Sequence, residues 1–90
     1  MERGLLRVDF ARRRVFWGDR EVVLSPKEFA LLELLSLYPD KAFSREELLE
    51  RVFPGAESEA ILRVYVQRLR QKLAPWVVER VPGGYRLGGA

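Results

Sequence analysis

The sequence predicts an α+β domain in which antiparallel strands come first, three helices follow, and a β-hairpin closes the chain. Apolar and polar residues alternate in "LLRVDF", the period of a half-buried sheet, and two further strand-like runs follow it within residues 1–25. Two Ser-x-x-Glu signatures, Ser25–Glu28 and Ser44–Glu47, each open an apolar pattern with helical spacing. Near the end, Pro82-Gly83-Gly84 separates two strand-like runs. Ninety residues support one modest core, so residues 1–90 form one domain: a sheet (1–25), three helices (26–73) and a hairpin (74–90).

Taken in order, "LLRVDF", "RRRVFW" and "REVVL" read as an antiparallel meander, with Gly18-Asp19 as a turn. Arg12-Arg13-Arg14 falls at a hairpin and reads as a solvated edge, where cations discourage pairing with another chain, with a backbone contact to nucleic acid as the alternative. In "SPKEFALLELLSLY", Ser25 caps, Pro26 takes the first helical position and Glu28 completes a capping box. Phe29, Leu31, Leu32, Leu34, Leu35 and Leu37 cover so much of the circumference that this helix belongs at the centre of the core. Tyr38-Pro39-Asp40 ends it. "SREELLERVF" repeats the grammar: Leu48, Leu49, Val52 and Phe53 form a stripe, while Arg45, Glu46, Glu50 and Arg51 face water. "PGAES" then breaks the chain.

The third helix is expected over 59–73. At about 100° per residue, Ile61, Leu62, Tyr65, Val66, Leu69 and Leu73 gather on one side. Ala60, Arg63, Val64, Gln67, Arg68, Arg70 and Gln71 gather on the other. Pro75 stops the helix. Trp17 and Trp76 each sit in an apolar run and are expected in the core.

Composition narrows the chemistry. Cysteine and histidine are both absent, which removes disulfides, thiolate chemistry, the usual zinc ligands and the commonest general base. Glu46 and Glu47 are adjacent, so on a helix they point to different sides and make no acid/base pair. Gly83-Gly84 lacks the lysine and following helix of a phosphate loop. No catalytic residue, metal site or cofactor is expected. No apolar run approaches the ~20 residues that cross a bilayer, and no signal-peptide pattern opens the chain. No membrane partner is expected, and with cysteine missing a cytoplasmic location is.

Charge is unevenly placed. Residues 1–25 hold six bases and four acids, and residues 26–59 hold four bases and eight acids. Residues 60–90 hold six bases against the single acid Glu79. Surface helices usually interleave the two signs, yet "RVYVQRLRQKL", Arg63–Leu73, contains no acid at all. A polyanionic partner is the expectation.

Three helices, the last two separated by a short break and followed by a hairpin, form the layout of a winged helix-turn-helix. In that fold one helix enters the DNA major groove and the hairpin lies beside the backbone or minor groove. Arginine forks onto guanine, glutamine bonds adenine, and a small apolar side chain touches a thymine methyl. Val64, Gln67, Arg68 and Gln71 are therefore the expected base contacts. Arg63 and Arg70, toward one side of the face, are expected on phosphates, with a Glu59–Arg63 pair as the structural alternative for Arg63. Tyr65 and Lys72 are assigned to the backbone on the same helix, with the core as the alternative for Tyr65.

The chain resembles the OmpR/PhoB-type DNA-binding domain found at the C-terminus of many bacterial two-component response regulators. "LSPKEFALLELL", "SREELLERVF", "VYVQRLRQKL" and "VERVPGGYRL" stand in that family's order and near its spacings. The resemblance implies a four-stranded N-terminal antiparallel sheet, three helices and a C-terminal hairpin wing. It implies regulation of transcription through direct-repeat sites on double-stranded DNA, bound by a head-to-tail homodimer. Contact with RNA polymerase and a receiver domain ahead of this segment are further family expectations. Val64 and Arg68 fall where the family's recognition helix touches bases, and Tyr85 matches a wing tyrosine that meets phosphate. The family's wing usually reads Arg-Gly-x-Gly-Tyr, whereas this one reads Pro82-Gly83-Gly84-Tyr85; Arg80 or Arg86, within the wing at 77–87, stands in for the missing arginine. Tyr65 occupies a common histidine position, Arg63 a common aspartate and Phe53 a tryptophan. Ala60 and Ile61 replace an Arg-Thr pair, which leaves a second reading open: a winged helix adapted to protein–protein interaction with weak or no DNA binding.

Overall fold

The computed structural model describes residues 1–89. Four strands open the chain, β1 (Glu2–Arg3), β2 (Leu6–Asp9), β3 (Arg14–Trp17) and β4 (Arg20–Val22), hydrogen-bonded in that order. All pairings are antiparallel, and the register sets Val8 opposite Val15 and Val15 opposite Val22. Alternation therefore sends Leu6, Val8 and Val15 into the core. The four-stranded sheet follows the family expectation. β1 is too short for any periodicity to have marked it.

The arginine triplet lies at the β2–β3 hairpin, and each member finds a partner within the protein. Arg12 pairs with Asp9 at 3.2 Å, and Arg14 makes a two-pronged contact with Glu21 at 2.7 and 2.9 Å. Arg13, at φ 56°, lies over the Phe29 ring at 4.4 Å and within 3.9 Å of Glu33.

The helices are α1 (Pro26–Leu37), α2 (Arg45–Val52) and α3 (Ala60–Lys72). Both capping boxes form. Glu28 N–H donates to Ser25 Oγ at 3.2 Å, and Ser25 N–H donates back to Glu28 Oε1 at 2.8 Å. Ser44 and Glu47 repeat the exchange at 3.0 and 3.1 Å. α1 runs through the middle of the core, with Phe29, Leu31, Leu32 and Leu35 buried. Leu37, expected among them, is half exposed, although Leu35 and Ser36 in the same last turn are buried. α3 buries Leu62, Val66 and Leu69.

The C-terminal hairpin has a third strand that the sequence reading passed over. β5 (Phe43–Ser44), just ahead of α2, pairs with β7 (Gly84–Leu87), which pairs in turn with β6 (Val78–Val81). Two glycines make this possible for different reasons. Gly83 adopts φ +80°, a left-handed value that side chains resist, as the second residue of the two-residue turn Pro82-Gly83. Gly84 leaves room for the Phe43 carbonyl, which a methyl at that position would strike. Ser44 is thus both a strand residue and the cap of α2, and Arg45 N–H donates to Gly83 carbonyl oxygen at 3.1 Å. The start of α2 is bolted to the wing turn.

Trp76 departs from expectation. It is 53% exposed, lying 6.3 Å from the partly buried Trp17. Its neighbours Ala74, Val77 and Val78 take the interior positions instead.

Candidate nucleic-acid interface

α3 is amphipathic, so burying Leu62, Val66 and Leu69 leaves the opposite face in water. Arg63, Val64, Gln67, Arg68 and Gln71 are all exposed. β6 and β7 rise beside this face, and their register pairs Arg80 with Tyr85 on the side turned toward α3. Between helix and wing lies an open concavity of ≈ 1150 Å³, floored by α3 and walled by Arg80 and Tyr85. Ser58 and Glu59 form one lip, and Arg45 closes the end nearest α2.

The cations of this groove are unpaired, as are Arg7, Arg20, Lys27 and Arg51 elsewhere among the described residues, but here they converge on one concave surface. Arg3, Arg12, Arg13 and Arg14 of the N-terminal sheet each lie against a carboxylate, as do Lys41, Lys72 and Arg86. Arg45, Arg63, Arg68 and Arg80 line the groove, and among the described residues none of them forms an ion pair. The Glu59–Arg63 pair considered from the sequence does not form within 4.0 Å among the described residues. With Glu59 the single acid among the lining residues, four cations without an ion pair around one concave surface raise the local potential and favour a polyanion.

The structure sorts the remaining sequence-predicted residues. Arg70 lines the groove, but its guanidinium donates to the Val78 carbonyl from Nε at 3.3 Å and Nη2 at 3.0 Å, which ties α3 to β6. Tyr85 lines the groove while only 5% exposed, so it offers only a small part of its surface there.

Lys72 and Arg86 lie outside the group. Lys72 is about 40° further round the helix than Arg68 at ~100° per residue, on the flank toward α1. Its ammonium donates to Glu28 Oε1 at 2.6 Å and to the Val23 carbonyl at 3.3 Å. Burial pushes the Glu28 carboxyl up, but hydrogen bonds from Lys72 and Ser25 outweigh it, holding the group below its ordinary 4.5. Arg86 is the cross-strand partner of Glu79 on the outer face of the wing, 2.9 Å from its carboxylate. Tyr65 also stands off the groove, packed on Phe53 with ring centroids 4.9 Å apart.

Arg45 is a groove residue that the sequence reading placed among the water-facing positions of α2 but did not name as a site. The usable signal was Gly84: a second glycine after the turn implied a close backbone approach, and that approach brings the start of α2 to the wing.

Known proteins share this architecture. The family described as "Transcriptional regulatory protein, C terminal" matches residues 19–87. CutR, a transcriptional regulatory protein of Streptomyces coelicolor, is 42% identical over 91 residues, which cover 97% of this chain and 42% of CutR. Response regulator DrrB, an OmpR/PhoB homolog of Thermotoga maritima, superimposes with a TM-score of 0.90 at 25% identity, over 99% of this chain and 44% of DrrB. The DNA-binding domain of Klebsiella pneumoniae RstA, solved in complex with the RstA box, superimposes with a TM-score of 0.83 at 27% identity, over 98% of this chain and 95% of that one. The chain therefore spans less than half the length of CutR and of DrrB. With most of its length matched, and its strands, helices and wing in the corresponding order, the chain belongs to the OmpR/PhoB-type family of transcriptional-regulator C-terminal domains, and its fold is a winged helix-turn-helix.

Proposed function

We propose that this domain binds double-stranded DNA sequence-specifically, with α3 in the major groove and the wing against the backbone or minor groove, as the effector module of a bacterial response regulator. The observation that carries this reading is the groove itself, where Arg45, Arg63, Arg68 and Arg80 have no carboxylate partner among the described residues. Phosphates supply the missing negative charge, and the counterions they release on binding drive association. Val64, Gln67, Arg68 and Gln71 stand on the exposed face of α3 and are assigned to base edges. Arg63, Arg45, Arg80 and Tyr85 are assigned to the backbone, with Arg80 taking the part of the absent wing arginine. Arg70 contributes charge from a fixed position. That the related RstA DNA-binding domain was solved in complex with the RstA box supports the DNA-binding reading.

The reading extends to direct-repeat sites occupied by a head-to-tail pair, to the cytoplasm as location, and to the exposed Pro54–Glu59 loop as the surface left for RNA polymerase. Among the described residues no helix is long and apolar enough to cross a membrane. Selection of bound duplexes from a random-sequence pool tests sequence-specificity. A recovered consensus is expected; failure to enrich any sequence over several rounds contradicts it and turns attention to a protein partner.

A further inference from the structure

We infer that Tyr65 is a specificity-positioning residue: its ring holds the Arg68 guanidinium in the orientation that reads a base. The inference rests on the DNA-binding reading above and adds a role for a side chain that does not line the groove. Arg68 Cζ lies over the Tyr65 ring, 4.9 Å from its centroid, within the ~6 Å at which a cation is drawn to an aromatic face. Three residues apart on a helix, the two side chains are neighbours. Tyr65 is itself braced, because the Phe53 ring meets it at 4.9 Å with planes tilted by 54°. Phe53 is 5% exposed at the C-cap of α2, and Lys27 Nζ, 5.9 Å from the Phe53 ring, donates to the Val52 carbonyl at 2.7 Å. The stack therefore runs from the body of the domain out to the exposed guanidinium.

Arg68 needs such a device more than its neighbours do. Arg70 is already fixed by the Val78 carbonyl, whereas Arg68 has no hydrogen bond or ion pair to the described residues. A free arginine gives up several rotatable bonds when it engages a base, and that entropy loss weakens binding. A guanidinium already lying on a ring gives up less. The benefit is confined to the contact that depends on orientation, since a phosphate accepts an arginine from many directions. Tyr65 should thus raise discrimination between sequences and leave sequence-independent affinity alone.

The test compares two probes, a duplex enriched from a random pool by the wild-type chain and the same bases scrambled. Tyr65→Leu is expected to lower the ratio of the two affinities about two- to fivefold, the range of an exposed cation–π contact. Binding to the scrambled duplex and its salt dependence should stay unchanged. Tyr65→Phe, which keeps the ring, should keep the ratio. In an Arg68→Ala background Tyr65→Leu should have no further effect. The ratio is read on one preparation, so an inactive fraction cancels; Tyr65→Met serves if the leucine variant does not fold. A Tyr65→Phe defect as large as that of Tyr65→Leu, equal losses on both duplexes, or additivity with Arg68→Ala overturns the inference. Absence of wild-type binding to any duplex is a separate result, which defeats the DNA-binding reading itself.

Discussion

Arg68 and Arg70 lie two positions apart on α3 and carry the same charge, yet their surroundings set them to different tasks. Arg68→Ala removes an exposed guanidinium without touching the core. It is expected to cost about 1–3 kcal/mol on the selected duplex and less on random DNA, measured by fluorescence anisotropy. Equal losses on both would make Arg68 a phosphate contact. Arg70→Ala also removes the tie between α3 and the Val78 carbonyl. It should lower stability by about 1–2 kcal/mol in urea unfolding, while Arg63→Ala, which breaks no described bond, should leave the midpoint unchanged. Helical periodicity placed both arginines on the outer face of α3. It carried no information about the Val78 carbonyl, since that contact depends on where the wing returns. The same limit applies to Lys72, whose partner Glu28 is distant in sequence and meets it only in the folded chain.

At the scale of elements, the two capping boxes were fully readable, because the hydrogen bonds of Ser25 with Glu28 and of Ser44 with Glu47 are local. They also contribute to the domain's pH dependence, alongside Asp9 and Glu21, whose carboxyls are lowered by hydrogen bonds from Arg12 and Arg14. Hydrogen bonds from Ser44 and Lys41 hold Glu47 below its ordinary 4.5, and Lys72 and Ser25 do the same for Glu28 against its burial. A carboxylate with a depressed folded-state pKa contributes stability that is present above the unfolded value and lost as pH falls through the folded one. Stability is therefore expected to decline below about pH 4.5, with little change between pH 6 and 8, where the absent histidine would otherwise titrate. Urea midpoints across this range check it; a step near pH 6.5 would contradict it. β5 is the element that escaped notice, since two residues have no period. Its imprint is Gly84, and Gly84→Ala should force β5 and β7 apart, visible as loss of amide protection at Phe43 and Tyr85 in hydrogen exchange.

Across the whole molecule, sheet, helices and wing share one core, and their function lies in where that core leaves charge uncovered. Cations of the N-terminal sheet are largely answered by acids of the same chain, while those between α3 and the wing are not. Total composition obscured this division, and the acid-free run from Arg63 to Leu73 disclosed half of it. The other half, contributed by Arg45 and Arg80, required the three-stranded wing to be assembled. The most direct measurement of the central claim is affinity for the selected duplex as a function of salt. Log affinity is expected to fall linearly with log salt, at a slope near −0.9 for each phosphate engaged, and Arg63→Ala should make that slope shallower by about one contact. An affinity indifferent to salt, or a slope untouched by removing Arg63, Arg45 and Arg80 together, would contradict the placement of the duplex in this groove.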